Sequence, residues 1–250
     1  MTSFLTAVFS VALLFATCQA HAAQNLHVAV AASLAAPMQR IAVLYEQKTG
    51  EKVMLSLGST GRLFAQASNG APFDALLTAD NTTAAKLIDA KLAKMGSTKA
   101  FAQGRLVLWS KQRGVVDDQG AVLTANRYKR LAIADPKLAP YGAAAMATLS
   151  ALGLRDLAAA KLVQGESIAQ AYQFVASGNA ELGLLALSQV WFDGNLTEGS
   201  SWLVPEALHP PLLHEALVLN GKSQTAGRFV DFLLSEPAQH VLRQHGYTKP

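Results

Sequence analysis

Read for the spacing of its apolar positions, the chain alternates short apolar runs with longer segments of helical period. Runs of strand length fall at 27–32, 53–57, 74–79, 105–109, 131–134, 182–187 and 213–219. Most lead into alanine-rich stretches whose apolar residues recur every three to four positions, and that alternation predicts a parallel or mixed α/β fold. After Ser33, the residues Met38, Ile41, Leu44 and Tyr45 share one helix face, with Pro37 in the first turn and Thr49-Gly50 at the end. Proline is tolerated at such a start, and glycine suits the left-handed residue that closes a helix.

Two junctions place a hydroxyl where a strand gives way to a helix: His27 to Leu34, with Ser33, and Val53 to Gly61, with Ser59. There the first helical N–H groups lack intrahelical partners and the helix dipole is positive, so an oxyanion is favoured without lysine or arginine. Serine is also a common helix cap, so neither residue is informative alone. The pairing matters because ligands of open α/β sheets gather at the carboxyl ends of strands.

Two more junctions follow, a proline-bearing turn at Asp135 to Gly142 that contains Tyr141, and Gln164-Gly165-Glu166-Ser167-Ile168 before a helix carrying Ala169, Tyr172, Phe174 and Val175. The first and second pairs lie about eighty residues apart, beyond one supersecondary unit of roughly thirty residues. The prediction is two facing α/β lobes, 23–103 plus 213–250 and 104–212, with crossings near 103 and 213 as a hinge. After a turn at Asn220-Gly221-Lys222-Ser223, helices through 229–234 and 238–245 are expected to pack on the first lobe.

The N-terminus changes the compartment. Phe4 to Ala16 is apolar but too short to span a membrane, and it ends in the small-x-small pattern Ala20-His21-Ala22. Residues 1–22 read as a signal peptide that directs the chain to the periplasm. Cys18, the single cysteine, falls inside it, so the mature chain is expected to use no disulfide, thiolate or cysteine-ligated metal.

Charge and motifs narrow the chemistry further. The net charge of +4 is spread without a lysine-arginine run, which argues against nucleic acid. The histidines lack metal-ligand spacing, so no side-chain metal site and no cofactor are expected. Gly58-Ser59-Thr60-Gly61 lacks the lysine ending of a nucleotide-binding loop. The enzyme alternative is a serine hydrolase, with Ser33 or Ser59 as nucleophile and His27, His209, His214, His240 or His245 as base. No Gly-x-Ser-x-Gly elbow supports it. Asn81 is expected to cap a helix.

Ala31-Ala32-Ser33-Leu34, Gly58-Ser59-Thr60-Gly61, Asn69-Gly70-Ala71-Pro72-Phe73-Asp74, Ala134-Asp135-Pro136, Gly165-Glu166-Ser167-Ile168, Ser177 to Gly183 and His209-Pro210-Pro211 follow one another in this order. In that order the chain resembles the periplasmic molybdate-binding proteins of ABC transporters. The resemblance implies a type II periplasmic binding protein fold, each lobe a mixed β-sheet flanked by helices, with the ligand cleft between lobes. It implies a tetrahedral dianion held by neutral donors: hydroxyl and N–H groups of Ser33 and Ser59, and N–H groups of Tyr141 and Ile168. Many members carry a donor tyrosine in the strand that here reads Gly183-Leu184-Leu185-Ala186-Leu187. Tyr141 fits a branch with an aromatic at the Pro-Tyr-Gly turn instead.

The implied function is a monomeric, non-enzymatic receptor for molybdate and tungstate that serves a membrane permease driven by a cytoplasmic ATPase. A receptor for sulfate or another tetrahedral oxyanion is the alternative. Hydrogen bonds to a charged acceptor contribute roughly 1.5–3 kcal/mol each, so several convergent donors can hold an ionised anion. A donor-only site disfavours hydrogen phosphate, whose proton needs an acceptor, unless Asp80 or Asp135 reaches the cleft.

Overall fold

A computed structural model describes residues 25–93, 95–219 and 224–250. The expected signal peptide with Cys18 and the expected turn at 220–223 lie outside them. The chain opens with β1 (Leu26–Ala31), α1 (Ala35–Thr49), β2 (Val53–Gly58), α2 (Thr60–Ser68), β3 (Ala75–Leu77), α3 (Asn81–Asp89) and β4 (Lys99–Gly104). It continues through β5 (Leu106–Ser110), α4 (Ala121–Thr124), β6 (Leu131–Ala134), α5 (Pro140–Ala151), α6 (Arg155–Ala159), β7 (Leu162–Gly165), α7 (Ile168–Ala176) and β8 (Leu182–Ala186). A small hairpin of β9 (Trp191–Phe192) and β10 (Asn195–Leu196) precedes β11 (Ser200–Leu203), β12 (Leu212–Val218), α8 (Gln224–Phe232) and α9 (Glu236–Gln244).

These strands build two mixed five-stranded sheets, ordered β2-β1-β3-β12-β4 and β11-β5-β8-β6-β7. In the first, β1 runs parallel to β2 and β3, whereas β12 is antiparallel to β3 and β4. In the second, β6 is parallel to β7 and β8, and β5 is antiparallel to β8 and β11. The chain leaves the first sheet at Arg105, between β4 and β5, and returns to it by β12. The two-sheet α/β architecture agrees with the pattern of apolar runs.

Differences from the pattern arise at sheet edges. β4 begins with the exposed pair Lys99 and Ala100, and edge strand β7 keeps two half-buried residues and an exposed Gln164, so neither makes an apolar run. Helix ends follow local chemistry more closely. Gly50 adopts φ 75° and gives its N–H to the carbonyl of Glu46, closing α1 as expected. At α3 the expectation is off by one residue: Asp80, not Asn81, is the cap, with Oδ1 accepting the N–H of Thr83 at 2.6 Å.

The C-terminal helices pack on α1. Tyr45 meets Phe229 and Phe232 edge-on at 5.2 and 5.3 Å between ring centroids. Its hydroxyl donates to Glu51, which also pairs with Arg228 of α8.

Candidate functional site

The strand-to-helix junctions converge on a narrow cavity, about 200 Å³ including open solvent, lined by Ser33, Ser59, Thr60, Tyr141, Ile168 and small apolar neighbours. All four residues singled out in the sequence thus meet at one place. Each arrives by a different local route.

Ser33 is not a helix cap. It sits within a 3₁₀ turn, Ala32–Leu34, between β1 and α1, where Leu34 occupies the cap position. The hydroxyls of Tyr247 and Ser188 donate to its carbonyl at 2.8 and 2.7 Å, and its own Oγ lies 3.1 Å from Nε2 of His214. Ser59 does occupy the cap position of α2, yet its Oγ makes no capping bond. That hydroxyl is buried without a partner. A serine kept only as a cap would accept an N–H of the first turn, so capping does not account for the side chain.

Tyr141 is the second residue of α5, behind Pro140 at the first position, so the expected turn is in fact the opening turn of a helix. Proline suits that position because the N–H it lacks would be an orphan anyway. The Tyr141 hydroxyl is buried and unpartnered. Ser33 and Tyr247 act on it electrostatically, but neither stands in hydrogen-bonding geometry. Burial pushes its phenol well above the ordinary value of 10, so it remains a neutral donor. A Cβ added to Gly104 would lie 2.1 Å from this oxygen, so glycine at 104 makes room for it. Ile168 opens α7, which is capped by Ser167, whose Oγ accepts the N–H of Gln170 at 3.3 Å. Gln189 donates to the Ile168 carbonyl at 2.9 Å and steadies this helix end.

Larger grooves, of about 1130 and 950 Å³ including open solvent, flank the cavity. Their acidic groups and Arg62 are already engaged, since Asp80 caps α3 and Arg62 pairs with Glu166 at 2.7 Å, while Lys86 and Lys137 line the larger groove. Two buried, unpartnered hydroxyls, those of Ser59 and Tyr141, meet at the small cavity instead, and leaving such a group unpaired costs about 1–3 kcal/mol. Neither Asp80 nor Asp135 lines it; Oδ1 of Asp135 accepts the N–H of Lys137. The cavity therefore offers N–H and O–H groups and no charged side chain. Such a set can hold an oxyanion. Among the described residues no group of His, Asp or Glu is placed to hold a metal ion.

The serine–histidine contact is the pairing a hydrolase would need, but the rest of that machinery is missing from it. Nδ1 of His214 faces the carbonyl of Leu212 at 3.0 Å rather than a carboxylate, and the ring is completely buried. Burial pushes its pKa down to about 4, whereas a general base works best near the operating pH. His214 stands in the sequence only as one of five candidate bases, and Tyr247, Ser188 and Gly104 carry no signal, because their partners lie far away along the chain.

Residues 26–248 match the model of the bacterial extracellular solute-binding protein family. The molybdate-binding protein ModA of Azotobacter vinelandii is 51% identical over 92% of both chains. That of Rhodobacter capsulatus is 41% identical over 90% of this chain and 89% of its own. Among solved structures, the periplasmic molybdate-binding protein of Azotobacter vinelandii superposes with a TM-score of 0.87 at 34% identity, covering 90% of this chain and 99% of that one.

Proposed function

The chain belongs to the family of bacterial extracellular solute-binding proteins, and within that family we propose a periplasmic receptor for molybdate that also takes tungstate. The observation that carries the reading is the neutral cavity where buried, unpartnered hydroxyls of Ser59 and Tyr141 meet the starts of α2, α5 and α7. Ser33, Ser59, Tyr141 and Ile168 bind the anion through side-chain O–H and backbone N–H groups. The identity to two molybdate-binding proteins over nine-tenths of the chain supports molybdate as the ligand.

Residues 23–103 with 213–250, and residues 104–212, act as two lobes that close on the anion about the crossings near 103 and 213. The loaded, monomeric receptor delivers its anion to an ABC permease with a cytoplasmic ATPase, and the chain itself catalyses nothing. After export the leader of residues 1–22 is removed.

A thermal-shift panel on refolded, anion-free protein tests the ligand class. Molybdate or tungstate at about a hundred times the dissociation constant adds about 2.7 kcal/mol of stability, while sulfate and phosphate at the same concentration add far less. A larger shift with sulfate overturns the choice of molybdate. Ester hydrolysis abolished by Ser33→Ala would replace the receptor with an enzyme.

A further inference from the structure

A dianion in the proposed cavity meets no charged side chain, yet the imidazole of His214 lies one hydrogen bond behind it. Its Nδ1 is 3.0 Å from the carbonyl oxygen of Leu212, which has no hydrogen to give, so Nδ1 carries one. In the neutral ring Nε2 is then an acceptor, and the Ser33 hydroxyl 3.1 Å away must donate to it. So arranged, Ser33 shows the cavity an oxygen lone pair. An oxyanion has only lone pairs to offer in return.

For Ser33 to donate to an anion, its hydrogen has to leave Nε2, which then becomes a buried acceptor without a partner. The surroundings supply no substitute donor in place. Tyr247 packs edge-on against the ring at 5.1 Å with its hydroxyl committed to Ser33 and Ser188, and Phe101 lies at 6.3 Å. Tyr141 lies at 6.2 Å without a bond of its own. The titratable groups facing the ring are thus the two phenols, both raised by burial and neutral, and no charged side chain contributes to the ring's own shift.

We propose, on the oxyanion reading above, that His214 is the positioning residue for the Ser33 hydroxyl and that binding of a doubly charged oxyanion draws one solvent proton onto its Nε2. The imidazolium then donates through Nδ1 to Leu212 and through Nε2 to Ser33 Oγ, freeing the Ser33 hydrogen for the anion. No bond within the anion breaks, and one proton enters per anion bound. Because burial holds the ring neutral near pH 7 beforehand, the proton arrives with the ligand. The anion supplies the attraction that offsets desolvation of the imidazolium.

Calorimetric titration of the mature protein with molybdate, in buffers of equal pH near 7 but different ionisation enthalpy, tests this. The expected apparent enthalpy varies with the buffer in proportion to proton uptake approaching one. The dissociation constant rises by up to about tenfold per unit of increasing pH, the slope of one linked proton. In His214→Gln, whose amide N–H can donate permanently to Ser33, molybdate still binds but both dependences vanish. Molybdate binding to wild type without buffer dependence overturns the role of His214 and leaves the receptor standing. Uptake that persists in His214→Gln overturns it too. If wild type binds no molybdate, the receptor reading itself fails; should the variant not fold, the wild-type buffer series decides.

Discussion

The backbone N–H of Gly61, in the first turn of α2, donates to the carbonyl oxygen of Leu138, just ahead of α5, at 2.9 Å. This bond ties the segment that presents Ser59 to the segment that presents Tyr141. The approach depends on the missing side chain, since a Cβ at 61 would lie 3.0 Å from that oxygen and 3.2 Å from Leu138 Cα. Gly61→Ala is therefore expected to push the two segments apart. Molybdate affinity should fall about tenfold, or about 1.4 kcal/mol, while anion-free stability changes little. Calorimetry paired with urea denaturation separates the two effects.

Ser59 tests the cavity directly. Removing a hydrogen bond to a charged acceptor costs roughly 1.5–3 kcal/mol, so Ser59→Ala should weaken molybdate binding by that amount. Ser59→Asp should abolish it, because the carboxylate would face the dianion. Aspartate is as good a helix cap as serine, so the fold should survive. Unchanged affinity in the aspartate variant would return Ser59 to a capping role.

The proposed role of Tyr141 is to carry the donor that the strand at Gly183–Leu187, which holds no tyrosine, does not supply. Tyr141→Phe removes only the unpartnered hydroxyl and should cost about 1.5–3 kcal/mol of molybdate affinity. Little loss of folding stability is expected, since that hydroxyl has no bond within the protein. Gly104→Ala should produce a similar loss of affinity by displacing the hydroxyl, because its Cβ would fall 2.1 Å from the oxygen and 2.7 Å from His214 Cε1. Wild-type affinity in Tyr141→Phe would leave only the backbone N–H as the contribution of this residue.

The acid limb of stability follows from His214. Its pKa is lowered from 6.5 to about 4 in the folded chain, so between those values the unfolded state binds more protons. Stability is then full above about pH 6.5, falls as the pH drops, and has lost about 3 kcal/mol from this group below pH 4. Burial lowers His245 as well, which adds loss of the same sign. Urea denaturation of anion-free protein across this range should show a shallower decline in His214→Gln than in wild type.

Local interactions were legible in the order of residues. The runs at 27–32, 53–57 and 131–134 became strands because one or both faces of each are covered, and Gly50 closes α1 because only a nearby carbonyl is needed. The four junctions could be picked out because orphaned N–H groups at a helix start depend on a few consecutive residues. Where a choice hung on one position, such as Asp80 against Asn81, the local signal was ambiguous because both residue types make good caps.

What Ser33 does was not legible, because its hydroxyl, carbonyl and position in a 3₁₀ turn are decided by His214, Ser188 and Tyr247, at 181, 155 and 214 residues' distance along the chain. The same holds for Gly104, whose lack of a side chain matters only once Tyr141 is folded against it, and for β7, paired as an edge although its own pattern is weak. Periodicity and capping record contacts between sequence neighbours, and they suffice for the elements and for the type of ligand their ends can attract. Which hydroxyls are free to donate, and which are held by a buried ring, depends on the packing of distant segments, and that is settled only when the sheets and the C-terminal helices come together.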